Sequence, residues 1–114
     1  MSTGEGTAMA VRDSRSAGVR LVVLDGPDSG REFPLAGAIA IAIGRDDTAG
    51  IVIEDDQVSR RHALVTVFED GARVNDLNST NGTWVNGARI ALPHPLLEGD
   101  ELRVGGTRLR LLIA

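Results

Sequence analysis

The residues of this chain able to do chemistry fall between positions 44 and 87. Gly44-Arg45 comes first, then Ser59-Arg60-Arg61-His62, then Asn78-Ser79-Thr80-Asn81-Gly82-Thr83, and last Asn86-Gly87. Guanidinium, hydroxyl and amide groups set among turn-forming residues suit an anion. An arginine offers phosphate two parallel hydrogen bonds, and hydroxyls add short neutral donors. All twelve basic residues are Arg, so any anion site here must be built from guanidinium groups. Ser59 with His62 also has the residue types of a hydrolase nucleophile and base. No nucleophile elbow surrounds the pair, however, and Arg60 and Arg61 stand between them. A metal site needs two or three more ligands than His62 supplies, and the other histidine, His94, sits between two prolines in an expected exposed loop. A nucleotide-binding phosphate loop cannot exist without Lys. The expectation is therefore no catalytic residue, no metal and no cofactor.

The elements that must position these residues read as strands. The chain has 114 residues, 42% hydrophobic and 3% aromatic, with 14 glycines scattered without period. That suits a single all-β domain with many turns and an aliphatic core. Positions 19–25, 31–35, 39–43, 51–53, 63–69, 72–77, 83–85, 89–91, 101–104 and 107–113 have strand length and patterning. In 39–43 the isoleucines alternate with alanines, which predicts an Ile face toward the core. Pro34 marks an edge strand, and Pro93-His94-Pro95 is expected to break the chain. Asp70-Gly71, Asn86-Gly87 and Gly105-Gly106 are hairpin signals. The whole predicts a sandwich of two antiparallel sheets with about ten to eleven short strands. Residues 1–18 are small, polar and aperiodic, and are expected to form a disordered tail, with the domain at 19–114. Ser2, Thr3, Thr7, Ser14 and Ser16 are acceptor residues in that tail, and a phosphorylated Thr3 or Thr7 has the reach to block the chain's own site.

Zero cysteine excludes a disulfide framework and a thiolate metal site. With net charge −4 the chain lacks the cationic surplus on which general nucleic-acid binding depends. No apolar run reaches the ~20 residues of a membrane span. A cytoplasmic protein with no nucleic-acid and no membrane partner is expected.

The hairpin at Asp70-Gly71 has a geometric consequence. Its strands are antiparallel and similar in length, so the residues before the first, Ser59 to His62, must lie near those after the second, Asn78 to Asn81. Two polar loops thus meet at one end of the sandwich. Arg45 is different: simple up-and-down counting through 51–53 would place it at the end opposite Ser59, while a strand of only roughly 10 Å could also cross between sheets, which counting does not decide.

Four blocks, Gly44-Arg45, Ser59-Arg60-x-His62, Ser79-Thr80-Asn81-Gly82-Thr83 with Asn86-Gly87, and Gly99-Asp100-x-Leu102-x-Val104-Gly105, resemble the signature of the forkhead-associated (FHA) domain. The resemblance covers about 20–113. It implies a β-sandwich that binds phosphothreonine peptides through loops at one end. It further implies that Arg45 holds the phosphate, Ser59 donates to a phosphate oxygen, and Arg60 lies beside the phosphate or peptide. Thr80 would fix the phosphate or the phosphothreonine methyl, and Asn81 would bond the peptide backbone. Gly44, His62, Gly82, Asn86 and Gly87 match positions that shape the loops. The implied partner is a phosphothreonine-containing protein downstream of a Ser/Thr kinase. Asp55-Asp56 and Gly50 depart from the pattern of relatives and bear on peptide preference, and the acidic run Asp46-Asp47 directly after Arg45 could repel phosphate or favour basic residues in the ligand. The alternative reading is a phospho-independent scaffold or oligomerisation domain that uses a sheet face of the same fold.

Overall fold

The computed structural model describes residues 18–35 and 37–113. Positions 1–17 of the expected tail, with its acceptor residues, lie outside the described residues. Eleven strands are formed: β1 (Val19–Val23), β2 (Glu32–Pro34), β3 (Ala40–Gly44), β4 (Ile51–Val52), β5 (Ala63–Phe68), β6 (Gly71–Asp76), β7 (Thr83–Val85), β8 (Ala88–Arg89), β9 (His94–Leu96), β10 (Glu101–Val104) and β11 (Thr107–Ile113). They make a six-stranded sheet, β2-β1-β11-β10-β7-β8, and a five-stranded sheet, β4-β3-β5-β6-β9. This is the all-β sandwich the turn spacing predicts.

The period of two sorts the side chains. In β1 Val19, Leu21 and Val23 are buried, and in β11 Leu109 and Leu111 are buried while Arg108 and Arg110 are exposed. The opposing sheet contributes Ile43, Ile51, Ala63, Val65, Val74 and Leu96. Phe33 is the one aromatic among these buried apolar side chains, so the core is aliphatic.

Three details differ from the sequence reading. Ile39 is 82% exposed while Ile43 is fully buried. The strand begins only at Ala40, which leaves Ile39 past the rim, its carbonyl accepting from the Val67 amide. The Pro93-His94-Pro95 segment does not simply break the chain: His94–Leu96 is an edge strand that pairs with Ala72 to Val74. An edge tolerates Pro95 because its missing N–H faces no neighbour. Glu69 and Asp70, rather than Asp70 and Gly71, occupy the β5–β6 turn, since Phe68 pairs with Gly71.

The largest difference concerns Arg45. β4 pairs with β3 in parallel, with Ile43 opposite Ile51 and Gly44 opposite Val52. The segment 45–50 loops back, so β4 repeats the direction of β3 instead of reversing it. Counting it as a return leg inverts the answer. Arg45 and Ser59 lie at the same end.

Candidate functional site

Three loops converge at that end: 45–50, 53–62 and 77–82. The Arg45 amide donates to Ser59 O at 3.0 Å, and the Asp46 amide donates to Arg60 O at 3.3 Å. The Arg45 side chain is fixed at its base, where Nε donates to Val58 O at 3.0 Å. Its terminal nitrogens extend to solvent, since the residue is exposed. Ser59 Oγ accepts from the Thr80 amide at 3.0 Å, a bond that leaves the hydroxyl proton unused. Asn81 Nδ2 donates to Gln57 O at 2.8 Å, so its Oδ1 is turned away from that carbonyl. Arg45 and Thr80 are therefore tied directly to Ser59, and Asn81 is tied to the same 53–62 loop through Gln57 O, so that the four form one rim. Arg60 joins through its backbone, with its side chain exposed, and Arg61 is exposed beside it.

His62 lies beneath this rim, fully buried. Nδ1 accepts from the Ser59 amide at 3.0 Å, and Nε2 lies 2.8 Å from Gly82 O. An amide can only donate and a carbonyl can only accept, so the proton sits on Nε2. Both ring nitrogens are occupied by backbone. Ser59 Oγ bonds elsewhere, so His62 is not placed to act as its base.

Gly44 is required by a close approach. A Cβ there would stand 1.9 Å from Arg60 O and 2.8 Å from its carbonyl carbon. Backbone cannot yield as a side-chain tip can. Gly44→Ala should therefore cost about 1–3 kcal/mol and push the Arg60 segment off the rim; chemical denaturation and phosphopeptide titration of the variant check both effects. Asn86 and Gly87 have φ of 50° and 84°, the pair of positive values that closes a two-residue hairpin. Asn86 also bridges to β10: its Oδ1 accepts from the Glu101 amide at 2.9 Å, and its Nδ2 donates to Asp100 at 3.0 Å.

Two carboxylates build the loops: Asp76, which the sequence reading passed over, and Asp55, which it tied to peptide preference alone. Asp76 accepts from the Ser79 amide and hydroxyl and, at 2.7 Å, from Thr83 Oγ1. Ser79 Oγ in turn accepts from the Gly82 amide at 3.0 Å. Asp55 accepts from the amides of Gln57 and Gly106 and from Thr107 Oγ1, tying the 53–62 loop to the β10–β11 hairpin. An Asp three residues before a Ser is a turn signal legible in the sequence. Burial alone would raise both carboxyls, but the donated hydrogen bonds outweigh it and hold each below its ordinary value.

A folded-state pKa below the unfolded one means that the stability is present above ~3.9 and is lost as pH falls through the folded value. Asp76→Asn should destabilise the domain at pH 7 and flatten that acid-side loss, measured as the change in urea midpoint between pH 7 and pH 3. An unchanged slope would assign the acid loss to other groups.

Asp46, which follows Arg45, accepts from the Thr48 amide at 3.0 Å and so caps its own turn. Among the described residues no group of three or more His, Cys, Asp or Glu could hold a metal ion.

Residues 22–114 match the family described as the inner membrane component of T3SS, cytoplasmic domain. The FHA domain-containing protein FhaB of Mycobacterium tuberculosis is 34% identical over 93% of this chain and 68% of its own length. The oxoglutarate dehydrogenase inhibitor of Corynebacterium glutamicum is 36% identical over 97% of this chain and 77% of its own. A solved domain, from a structural and functional study of phosphothreonine-dependent FHA domain interactions, superposes with a TM-score of 0.75. It is 35% identical, over 84% of this chain and 96% of its own. With the two-sheet sandwich and the four sequence blocks, these similarities show that the chain belongs to the forkhead-associated (FHA) domain family.

Proposed function

We propose that this domain, spanning 19–114, is a non-catalytic module that binds a phosphothreonine segment of a partner protein at the rim of Arg45, Ser59, Arg60, Thr80 and Asn81. The observation that carries the reading is the bonding of the rim itself. Arg45, Ser59 and Asn81 each use one polar atom to hold a neighbouring loop. Each keeps another for a ligand: guanidinium N–H groups, a hydroxyl proton and an amide oxygen. A phosphothreonine carries about −1.5 to −2 charge and three strong acceptor oxygens, which match the first two, and a peptide N–H matches the third. Gly44, His62, Gly82, Asn86 and Gly87 hold the loops in this arrangement. The relatives named above support the reading. The partner would be the product of a Ser/Thr kinase, met in the cytoplasm. No helix among the described residues is long and apolar enough to cross a membrane.

Calorimetric titration with a phosphothreonine peptide library and its unphosphorylated copies tests the proposal. Binding of the phosphorylated set alone is expected. Equal binding of both sets, or binding untouched by Arg45→Ala with Ser59→Ala, would overturn it.

One observation favours a second reading, a phospho-independent contact. Ile39, Phe68 and Leu97 are exposed at the rim of the five-stranded sheet opposite the loop site. A partner held there would stay bound after phosphatase treatment, whereas one held at the loops would be released.

A further inference from the structure

The outer face of the six-stranded sheet carries an unusual cross-strand row. Register places Arg108 opposite Arg103, Arg103 opposite Trp84, and Trp84 opposite Arg89. Three arginines and the chain's one tryptophan thus lie side by side across β11, β10, β7 and β8, in a protein whose net charge is −4. The arginines of this face are not equivalent. Arg108 pairs with Asp25 at 2.8 Å and with Glu101 at 3.3 Å, and Arg110 lies 4.0 Å from Glu101. Arg103 instead stacks on Trp84, its guanidinium carbon 4.8 Å from the ring centroid. Arg89 packs against Gly82, where a Cβ would come within 2.6 Å of its Nε. Among the described residues neither Arg103 nor Arg89 has a carboxylate within ion-pair distance.

This unneutralised end of the row is continuous with the loop site. Trp84 Nε1 points at Asn81 O, 3.5 Å away. Arg89 and Asn78 line an open cleft of about 520 Å³ beside the 77–82 loop. Asp76 also lines it, but its oxygens are taken by Ser79 and Thr83. Those donors are neutral, so Asp76 keeps its charge, and Arg89 is the one cation in the cleft lining, its guanidinium without an ion-pair partner among the described residues.

We propose that Arg89, Trp84 and Arg103 extend the peptide site as a subsite for Asp or Glu side chains flanking the phosphothreonine. The proposal rests on the phosphothreonine reading above and adds the charge preference of the bound segment. Gly82 is two residues from Thr80, so Arg89 falls within roughly 10 Å of the Thr80 amide at ~3.8 Å per Cα step. An extended ligand covers that in about three residues. Carboxylates three or more positions from the phosphothreonine reach Arg89 in the cleft and Arg103 on the indole. There the guanidinium is already ordered by stacking, so little side-chain freedom is lost on pairing.

The test compares three peptides by fluorescence anisotropy on the full chain. One is a phosphothreonine peptide with alanine flanks, the second has Glu at three to six positions on either side, and the third is the first without phosphate. The acidic phosphopeptide should bind about three- to tenfold more tightly than the alanine one, as two exposed pairs allow. That ratio should fall to about one in Arg89→Gln/Arg103→Gln, and also in wild type at ~1 M salt, where the screening length is ~3 Å. A phosphate-dependent alanine peptide with no acidic advantage, or an advantage that survives in the double variant, overturns the subsite alone. Failure of the alanine phosphopeptide to outbind its unphosphorylated form overturns the phosphothreonine reading, and the subsite with it.

Discussion

Arg45→Ala should reduce phosphopeptide affinity by about 2–5 kcal/mol, a change of roughly thirtyfold or more. The size follows from what the variant leaves behind. A phosphate seated at the rim has exchanged water for fixed donors, and a doubly charged group without its guanidinium is partly desolvated and unpaired. Ser59 can contribute one neutral donor and cannot replace a charge-assisted pair. The fold should survive, because the Arg45 side chain is exposed and makes one backbone bond, to Val58 O. Calorimetry for affinity and thermal melting for stability separate the two effects. Arg45→Lys should recover only part of the loss, since an ammonium lacks the planar fork.

His62→Ala should act on the fold itself. The ring is fully buried and links Ser59 to Gly82, members of two different loops. Removing it leaves the half-buried Ser59 amide and the buried Gly82 carbonyl without partners and opens a cavity beneath the rim. Unsatisfied groups cost about 1–3 kcal/mol each, and large-to-small core changes cost a similar amount again. A destabilisation of about 3–5 kcal/mol is expected, against the ~5–15 kcal/mol total of a small domain. Urea denaturation measures it. A loss below 1 kcal/mol would mean that water or loop collapse satisfies both groups.

How much of this was legible in the sequence depended on the range of the interaction. Alternation along 107–113 specified that Leu109 and Leu111 face inward and Arg108 and Arg110 outward, because strand parity is local. The short link between β5 and β6 required Ser59 to His62 and Asn78 to Asn81 to meet. The position of Arg45 was not local in this sense. It turns on whether six residues, 45–50, reverse the chain or loop it back into a parallel pairing, and nothing in Asp46-Asp47-Thr48-Ala49-Gly50 announces the second outcome. Only the family resemblance placed Arg45 correctly. His94 to Leu96 was obscured for another reason: prolines argue against a strand in general, yet an edge position removes the objection. Asp76 and Asp55 carried readable turn signals, but their value lies in contacts such as Asp55 to Thr107, 52 positions away, which no local pattern reports. The row of Arg103, Trp84 and Arg89 depends on register across three strands.

The most direct test of the loop site is amide chemical-shift mapping with one phosphothreonine peptide and its unphosphorylated copy. The expected result is phosphate-dependent perturbation centred on Arg45, Ser59, Arg60, Thr80 and Asn81, with the opposite rim at Ile39, Phe68 and Leu97 unmoved. Perturbations that centre on that opposite rim, or that are the same for both peptides, would contradict it.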